Sequence, residues 1–170
     1  MPDGDFRSHL ESARRGEEAA WHVLYGWLAP QVLGFLRASR IPDPEDVLGA
    51  VFVDVAQRIG SFRGDARSFR AWVFTITRAR RRENPLDTGA HEAIPAPVDV
   101  EGQALSAVAL DELLGVLDRL TDDQREVLIL RALDGWTSKQ VAEITGRTVG
   151  AVEQLQYRAR QALQDLLGGA

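Results

Sequence analysis

Cysteine is absent from the 170-residue chain, and only one of its 20 basic residues is a lysine. Without cysteine the protein has no disulfide, no thiolate nucleophile and no sulfur-ligated metal. The three histidines are not spaced as metal ligands: His9, His22 and His91. No apolar run approaches the roughly 18 residues of a membrane span, and the first residues lack the pattern of a secretory signal. We therefore expect a cytoplasmic protein with no membrane insertion, no metal and no cofactor.

Charge is distributed unevenly along the chain, which has a net charge of -5. Residues 58–82 contain eight arginines and one acid, whereas residues 83–120 contain eight acids and one arginine. Phe62, Phe69, Trp72 and Phe74 lie among the arginines of the basic segment. Aromatic stacking combined with phosphate contacts is how proteins hold single-stranded nucleic acid. The basic segment is therefore either a solvated helix face or a nucleic-acid-binding surface.

Apolar residues recur at helical spacing, and no segment alternates as a half-buried strand does, so we predict an all-α fold. A first helix is predicted around residues 5–14. The next helix should kink or restart at Pro30, which has no N–H to donate. A third begins with Asp43 as N-cap and Pro44 at the first helical position, and it ends at Gly60.

A fourth predicted helix turns Phe69, Trp72, Val73 and Ile76 toward the core, and we expect its arginine-rich end to lie outside the core. Residues 84–104, with three prolines and two glycines, lack apolar periodicity and are predicted to be a linker. The chain should therefore form two helical domains.

The second domain contains a predicted helix-turn-helix. Ala142 is small where two helices would cross, Gly146 permits a left-handed turn, and Val152 and Leu155 would pack the second helix onto the first. Capping boxes are predicted at Thr121 with Gln124 and at Thr137 with Gln140, and Thr148 would cap the last helix. An ordinary helical hairpin is the alternative, because Ala and Gly are common residues.

The last helix would present its outer face to the major groove of DNA. The side chains near its start that we expect to contact DNA are Thr148, Ala151, Glu153, Gln154, Tyr157, Arg158 and Arg160. Gln154 can pair with adenine, and the arginines suit phosphate or guanine, whereas Glu153 opposes phosphate. Residues 121–170 have a net charge of -1, which predicts weak DNA affinity outside a larger assembly.

Three motifs occur in order over nearly the whole length. They read PEDVLGAVFVDVAQRI, SFRGDARSFRAWVFTITRARRRE and LDRLTDDQREVLILRALDGWTSKQVAEITGRTVGAVEQLQYRARQALQDL. They resemble the polymerase-binding helix, the promoter-melting loop with the −10 helix, and the −35-binding domain of extracytoplasmic-function (ECF) sigma factors. These are promoter-specificity subunits of bacterial RNA polymerase in the sigma-70 family. The resemblance implies a region 2-like domain (1–83), a linker (84–104) and a region 4-like domain (105–170).

The resemblance also implies partners and roles. Core RNA polymerase would be contacted by Asp46, Asp54, Gln57 and Arg58. Promoter melting and −10 recognition would involve Phe62, Arg63, Asp65, Arg67, Arg78, Arg80, Arg81 and Arg82, and the helix-turn-helix residues above would bind −35 DNA. Family members are often held by an anti-sigma factor, which is a further implied partner. The sequence contains no catalytic triad, phosphate-binding glycine loop or cofactor motif, so we expect no enzymatic activity.

The sequence departs from the family pattern at three places: Gly49 and Ala50 replace polar residues, Asn84-Pro85 ends the −10 helix early, and Glu153 stands where a basic residue is frequent. Two alternatives therefore remain open. One is a polymerase-associated regulator, or degenerate sigma homologue, that docks but does not open DNA. The other is a stand-alone helix-turn-helix repressor whose N-terminal bundle dimerises.

Overall fold

The computed structural model describes residues 1–83, 115 and 117–168, and all the regular elements in those ranges are helices. The predicted all-α fold is confirmed for this part of the chain. The first half contains α1 (Asp3–Arg14), α2 (Glu18–Ala38), α3 (Pro44–Arg58) and α4 (Ala66–Glu83). The second half contains α5 (Asp122–Asp134), α6 (Ser138–Thr145) and α7 (Val149–Gly168). The predicted linker, residues 84–104, lies outside the described residues.

The helices of the first half bury one apolar stripe each. Helix α1 packs against α2, α2 against α3, and α3 against α4. At one end an aromatic cluster forms around Phe69, whose ring centroid lies 5.2 Å from that of Phe6 and 5.6 Å from that of Trp72. Burial of each such side chain stabilises the fold by about 1.5–3 kcal/mol. The predicted inward face of α4 is confirmed, with Phe69, Val73 and Ile76 buried and Trp72 half-buried.

Helix α2 continues through Pro30, so of the two predicted effects, a kink or a restart, the restart does not occur. Leu28, Ala29 and Val32 are all buried around the proline, so packing on both sides holds the helix together. Gln31 Nε2 also donates to the backbone carbonyl of Trp27 at 2.7 Å.

Helix α3 begins where the sequence predicts, but through a different contact. Asp43 occupies the N-cap position with φ +49°, and its side chain makes no cap hydrogen bond. Its backbone carbonyl instead accepts from Asp46 N at 3.0 Å. Pro44 stands at the first helical position, as predicted, whereas the helix ends at Arg58, two residues before Gly60.

The helix-turn-helix geometry is present in the second half. Both predicted capping boxes form, one at Thr121 and one at Thr137. Gly146 has φ +67°, as the tight turn requires, and Val152 is fully buried against the preceding helices. Thr148 Oγ1 accepts from Ala151 N at 3.2 Å and so caps α7.

The two halves pack against each other. Helix α4 contacts α6, and α2 contacts α5. One buried apolar cluster includes residues of both halves, among them Phe74 of α4 and Trp136 between α5 and α6. The arginine-bearing helix α4 therefore lies between the rest of its own bundle and the second half of the chain.

We predict that G146A lowers the free energy of unfolding by about 1 kcal/mol, because a Cβ at φ +67° is strained although no neighbour lies within 4 Å. G49A is the matched control: this glycine is helical, also has open space around it, and should gain about 0.5–1 kcal/mol as alanine. Urea denaturation measures both. A shift of the same sign in the two variants would contradict the assignment of the turn.

Candidate nucleic-acid interface

The outer face of α7 presents the side chains that the sequence singled out. Exposed side chains are found at Thr148, Glu153, Gln154, Tyr157, Arg158 and Arg160, whereas Ala151 is half-buried. The opposite side of the helix is anchored by Val152 and Ala159, both fully buried. Tyr157, 63% exposed, accepts through its hydroxyl from Gln161 Nε2 at 2.8 Å. The described helix thus offers one continuous polar and aromatic face.

Two contacts fix the orientation of this helix within the second half. Arg147, in the turn before α7, forms a 2.5 Å ion pair with Asp123 of α5. Its backbone N–H donates to the carbonyl of Ala142 at 3.0 Å, which closes the end of α6. The turn is therefore bonded on both sides, so α7 is held at a fixed angle to α6.

The exposed side of α3 carries three of the four predicted polymerase contacts, Asp46, Gln57 and Arg58. Beside them Val53 is 55% exposed. The fourth, Asp54, is only 6% exposed and does not lie on this side. Its two carboxylate oxygens accept from Arg80 at 2.6 and 2.7 Å. The expectation that Asp54 is an exposed contact is therefore corrected, because α4 supplies a cation directly opposite it.

The Asp54–Arg80 pair links α3 to α4. The hydrogen bonds from Arg80 lower the pKa of Asp54 below its ordinary value, and the carboxylate in turn raises the pKa of the guanidinium. Glu83 adds a second carboxylate at 3.1 Å from Arg80. Arg80, predicted from the resemblance as a promoter contact, is thus engaged within the protein.

The loop between α3 and α4 is closed by an aromatic side chain. Phe62 is 8% exposed, and its ring lies 5.1 Å from that of Phe69 and 5.2 Å from that of Trp72. The ring is therefore not free to stack on a base in this arrangement, which corrects the expectation for Phe62. A Cβ at Gly64 would lie 3.0 Å from the Phe62 ring and 2.9 Å from Ser68 Cβ, so the loop requires glycine there.

Helix α1 holds the same loop in place through hydrogen bonds from Arg14. Arg14 Nε donates to the carbonyl of Ile59 at 3.3 Å, and its Nη2 donates to the carbonyl of Phe62. These carbonyls follow the last turn of α3, where a cation is favourable. The position of the loop thus depends on a side chain far away in the sequence.

The remaining loop residues are exposed. Arg63 and Arg67 reach solvent, as does Asp65, and so does Arg82 at the end of α4. Asp65 also caps α4: its carboxylate accepts from Ser68 N at 2.7 Å, and its pKa is lowered by hydrogen bonds with Ser68. A structural role therefore accounts for Asp65. Arg63 Nη1 donates to the carbonyls of Gly60 and Phe62 at 2.8 and 2.7 Å, while its exposed guanidinium still reaches solvent.

The second half covers part of the arginine-rich end of α4. Arg78 Nε donates to Glu126 Oε1 at 2.9 Å, and Arg81 Nη2 lies 3.2 Å from the same oxygen. Glu126 is 1% exposed and Arg78 9%. The expectation that this end of α4 lies outside the core is therefore wrong for Arg78, because a carboxylate 48 positions later in the sequence accompanies it into the interior.

Trp136 is a residue that the sequence analysis did not single out. It is 2% exposed, its ring lies 5.5 Å from that of Phe74, and the guanidinium of Arg70 lies 4.0 Å above it. Gly135 before it has φ +60° and ends α5. In the sequence, a large aromatic residue directly after a helix-ending glycine could have identified Trp136.

An ion pair at the edge of the interface also joins the two halves, since Arg40 Nη2 lies 2.7 Å from Asp118 Oδ2.

Among the described residues, no group of His, Asp and Glu side chains is arranged to hold a metal ion. No helix in the same part of the chain combines the length and apolarity needed to cross a membrane. What the described surfaces offer is charge, aromatic rings and a helix-turn-helix, which are the elements of macromolecular recognition.

Comparison with known proteins gives a consistent picture. The family described as "Sigma-70, region 4" matches residues 110–163. The ECF RNA polymerase sigma factor BldN of Streptomyces coelicolor is 32% identical over 93% of this chain, which spans 64% of the length of BldN. The RNA polymerase sigma factor CarQ of Myxococcus xanthus is 29% identical over 94% of this chain and 95% of its own length. The ECF sigma-E factor of Escherichia coli K12 is 26% identical over 92% and 91%.

Solved structures share the fold. CnrH, solved in complex with the cytosolic domain of CnrY, superposes with a TM-score of 0.73 and is 25% identical over 96% of this chain and 97% of that one. The sigma factor RpoE, solved with the anti-sigma factor NepR from Bartonella quintana, gives a TM-score of 0.63 and 23% identity over 87% and 96%. The second likeness concerns the fold alone.

We predict that D54N destabilises the protein in a pH-dependent way. Because the pKa of Asp54 is lowered in the folded state, its contribution to stability is complete above the unfolded pKa of about 3.9 and is lost as pH falls through the folded pKa. The difference between wild type and D54N should therefore be largest near neutral pH and vanish in acid. Denaturation at several pH values measures it.

D46N is the matched control for that experiment. It makes the same chemical change on the same helix at an exposed carboxylate, and the loss of stability should be about 0.3–1 kcal/mol, because Asp46 lies in the first turn of α3, where an anion is favourable. If D46N and D54N behaved alike at all pH values, the Arg80 pair would have no role in stability.

Proposed function

We propose that the chain is an ECF sigma factor of the sigma-70 family, a promoter-directing subunit of RNA polymerase, because its second half matches the region 4 family and both BldN and CarQ are similar over nearly all of it. It binds core RNA polymerase through the first half and places the second half on upstream promoter DNA. The observation that carries the proposal is the exposed face of α7, mounted on a helix-turn-helix whose turn is set by Gly146.

The polymerase surface is the outer side of α3. Asp46 and Gln57 lie on the same side of this helix as the exposed Val53, and Arg58 follows at its end, which gives an apolar centre with polar neighbours. Asp54 acts behind this surface by fixing α3 to α4. Because Gly49 and Ala50 offer no polar side chains, the apolar side chain of Val53 contributes a larger share of the binding to the polymerase.

The −35 surface is the outer side of α7. Gln154 is placed to read a base edge, and Arg158 and Arg160 are placed to contact phosphates. Glu153 disfavours phosphate nearby, which makes DNA binding by this half dependent on the polymerase-bound first half. Joining two weak contacts in one chain raises the effective concentration of each at the promoter.

The −10 surface is the loop after α3 together with the end of α4. Arg63, Arg67 and Arg82 are exposed and can contact the DNA backbone. We assign no catalytic step to the chain, and we propose that it acts in the cytoplasm, where the polymerase is. An anti-sigma factor is proposed as a further partner, since the similar chain CnrH was solved in complex with another protein, the cytosolic domain of CnrY.

We predict promoter-dependent transcription when core RNA polymerase is combined with this chain on fragments of its own genome, because both contacts are then present. Run-off transcription measures it. Co-purification with the polymerase but no transcript would favour the docking regulator that does not open DNA. A stable homodimer that does not bind core polymerase would favour the stand-alone helix-turn-helix repressor.

The polymerase surface is tested by R58E. Reversing this exposed charge should weaken co-purification with core polymerase at least tenfold, because Arg58 lies on the proposed contact surface. Since the charge of Arg58 also helps to lower the pKa of Asp54, the folding of R58E is verified by urea denaturation. R7E is the matched control, since Arg7 is an exposed arginine on α1, away from that surface. If R58E and R7E bound core polymerase equally well, the proposal that α3 contacts the polymerase would be contradicted.

The −35 surface is tested by Q154A and R158A. Loss of a base contact should cost about 1–3 kcal/mol and relax preference at one position, whereas loss of a phosphate contact should weaken binding to all promoters alike. Q164A, at an exposed glutamine nearer the end of α7, is the control. Transcription from a panel of single-base promoter variants separates these effects, and identical profiles for Q154A and Q164A would contradict the assignment of Gln154.

A further inference from the structure

We propose that helix α1 is a positioning element for promoter opening: it holds the loop between α3 and α4 at both ends and so directs the exposed Arg63 and Arg67 toward DNA. The loop runs from residue 59 to residue 65. The inference rests on the proposed function, because it assumes that this loop contacts promoter DNA. Helix α1 has no proposed contact with DNA or with the polymerase, so its effect on a promoter is exerted through the loop.

The start of the loop is held by Arg14, the last residue of α1. Its Nε donates to the carbonyl of Ile59 at 3.3 Å, and its Nη2 donates to the carbonyl of Phe62. The third nitrogen, Nη1, donates to Glu11 Oε1 at 2.8 Å within α1. A planar guanidinium that is bonded through all three nitrogens has its orientation fixed. Both loop carbonyls are therefore held in place relative to α1.

The end of the loop is held by Asp3, the first residue of α1. Its Oδ1 accepts from the backbone N of Ala66, the first residue of α4, at 3.2 Å. The N–H groups in the first turn of a helix have no partner within that helix, and a carboxylate is a favourable acceptor for them. Asp3 and Arg14 stand at opposite ends of α1, about 16 Å apart along its axis. The helix therefore keeps the two anchoring points of the loop at a set separation.

Aromatic packing joins the middle of α1 to the loop. The ring of Phe6 lies 5.2 Å from that of Phe69, which in turn lies 5.1 Å from that of Phe62. Both Phe6 and Phe69 are 1% exposed. The loop thus has one side chain anchored in the interior, while the neighbouring Arg63 is exposed.

The backbone hydrogen bonds at the start of the loop are local. Ser61 N donates to the carbonyl of Arg58 at 3.0 Å, and Phe62 N donates to the carbonyl of Ile59 at 3.3 Å. Bonds between residues three positions apart shape a turn but do not set its direction relative to the rest of the helical bundle. The contacts with α1 connect positions more than 40 residues apart, and they supply that direction.

The direction of the loop matters most when the DNA strands separate. Unstacking a base costs free energy, which contacts with the separated strands must offset. A loop that is already ordered loses little conformational freedom when it meets DNA, so more of each contact remains to stabilise the opened strands. Without the α1 contacts the loop would become ordered only at this step, and opening of duplex DNA would be less favourable.

The first experiment removes the hydrogen bonds at the start of the loop. R14M is combined with core RNA polymerase, and run-off transcription is compared between a duplex promoter that the unmodified chain transcribes and the same promoter with a premelted −10 segment. The ratio of duplex to premelted transcription should fall about tenfold, because each lost charge-assisted hydrogen bond weakens the opened state. A premelted template needs no unstacking, so its transcription should change much less.

R15M is the matched control. Arg15 follows directly in the chain, is exposed, and bonds with the neighbouring Ser12 and Glu17. Its ratio should stay within about twofold of that of the unmodified chain. R14K keeps a cation that can donate to one carbonyl, so it should recover part of the ratio. A variant that is merely less stable loses transcription on both templates alike, so the ratio separates positioning from folding.

The second experiment acts at the other end of the loop and does not depend on the folding of R14M. D3A removes the acceptor of Ala66 N, so this amide should exchange its hydrogen about tenfold faster in the full chain. D5A, at an exposed carboxylate on the same helix, should leave the exchange unchanged. D3A should also lower the ratio of duplex to premelted transcription, by a smaller factor than R14M, because it removes one hydrogen bond from the loop instead of two.

The outcomes distinguish the positioning proposal from the proposed function. If the unmodified chain with core polymerase gives no transcript from either template, the sigma-factor assignment fails. If it transcribes both, and folded R14M and D3A show the same ratios as R15M and D5A, the assignment stands and the positioning role of α1 is overturned.

Discussion

The buried contact between Glu126 and two arginines of α4 determines how the two halves of this protein meet. An arginine pair cannot enter an apolar interface without an anion, and a carboxylate cannot enter without cations, so each side requires the other. The apolar contact of Trp136 with Phe74 lies beside this pair and is oriented by it. The exposed faces of α3 and α7 point away from this interface and remain accessible.

The overall charge conceals this arrangement. With a net charge of -5 the chain would be a poor candidate for nucleic-acid binding. Its arginines are concentrated on one helix and the preceding loop, and several are neutralised by partners from elsewhere in the chain. Arg80 is held by Asp54, whereas Arg78 and Arg81 are held by Glu126. Three arginines of α4 are thus neutralised by carboxylates from other elements of the described chain.

Features that depend on nearby residues could be predicted from the sequence. The capping boxes at Thr121 and Thr137 and the left-handed Gly146 involve residues within four positions of each other, so local chemistry suffices. Exposure on α7 followed from helical spacing alone. Asp54, Phe62 and Arg78 were predicted as surface contacts and are buried, because their partners lie elsewhere in the fold. Helical periodicity assigns a face to a side chain but does not reveal which other element covers that face.

The bracing of the loop by Arg14 has a consequence for how the first helix tolerates change. Helix α1 contributes none of the proposed DNA contacts, yet its Arg14 donates to the carbonyls of Ile59 and Phe62, both at the start of the loop between α3 and α4. A substitution of Arg14 in α1 would therefore loosen a backbone segment that lies 45 positions away in the sequence. Transferring the α3–α4 loop to another helical bundle without α1 would keep its exposed arginines but would remove the Arg14 hydrogen bonds that hold the loop in position.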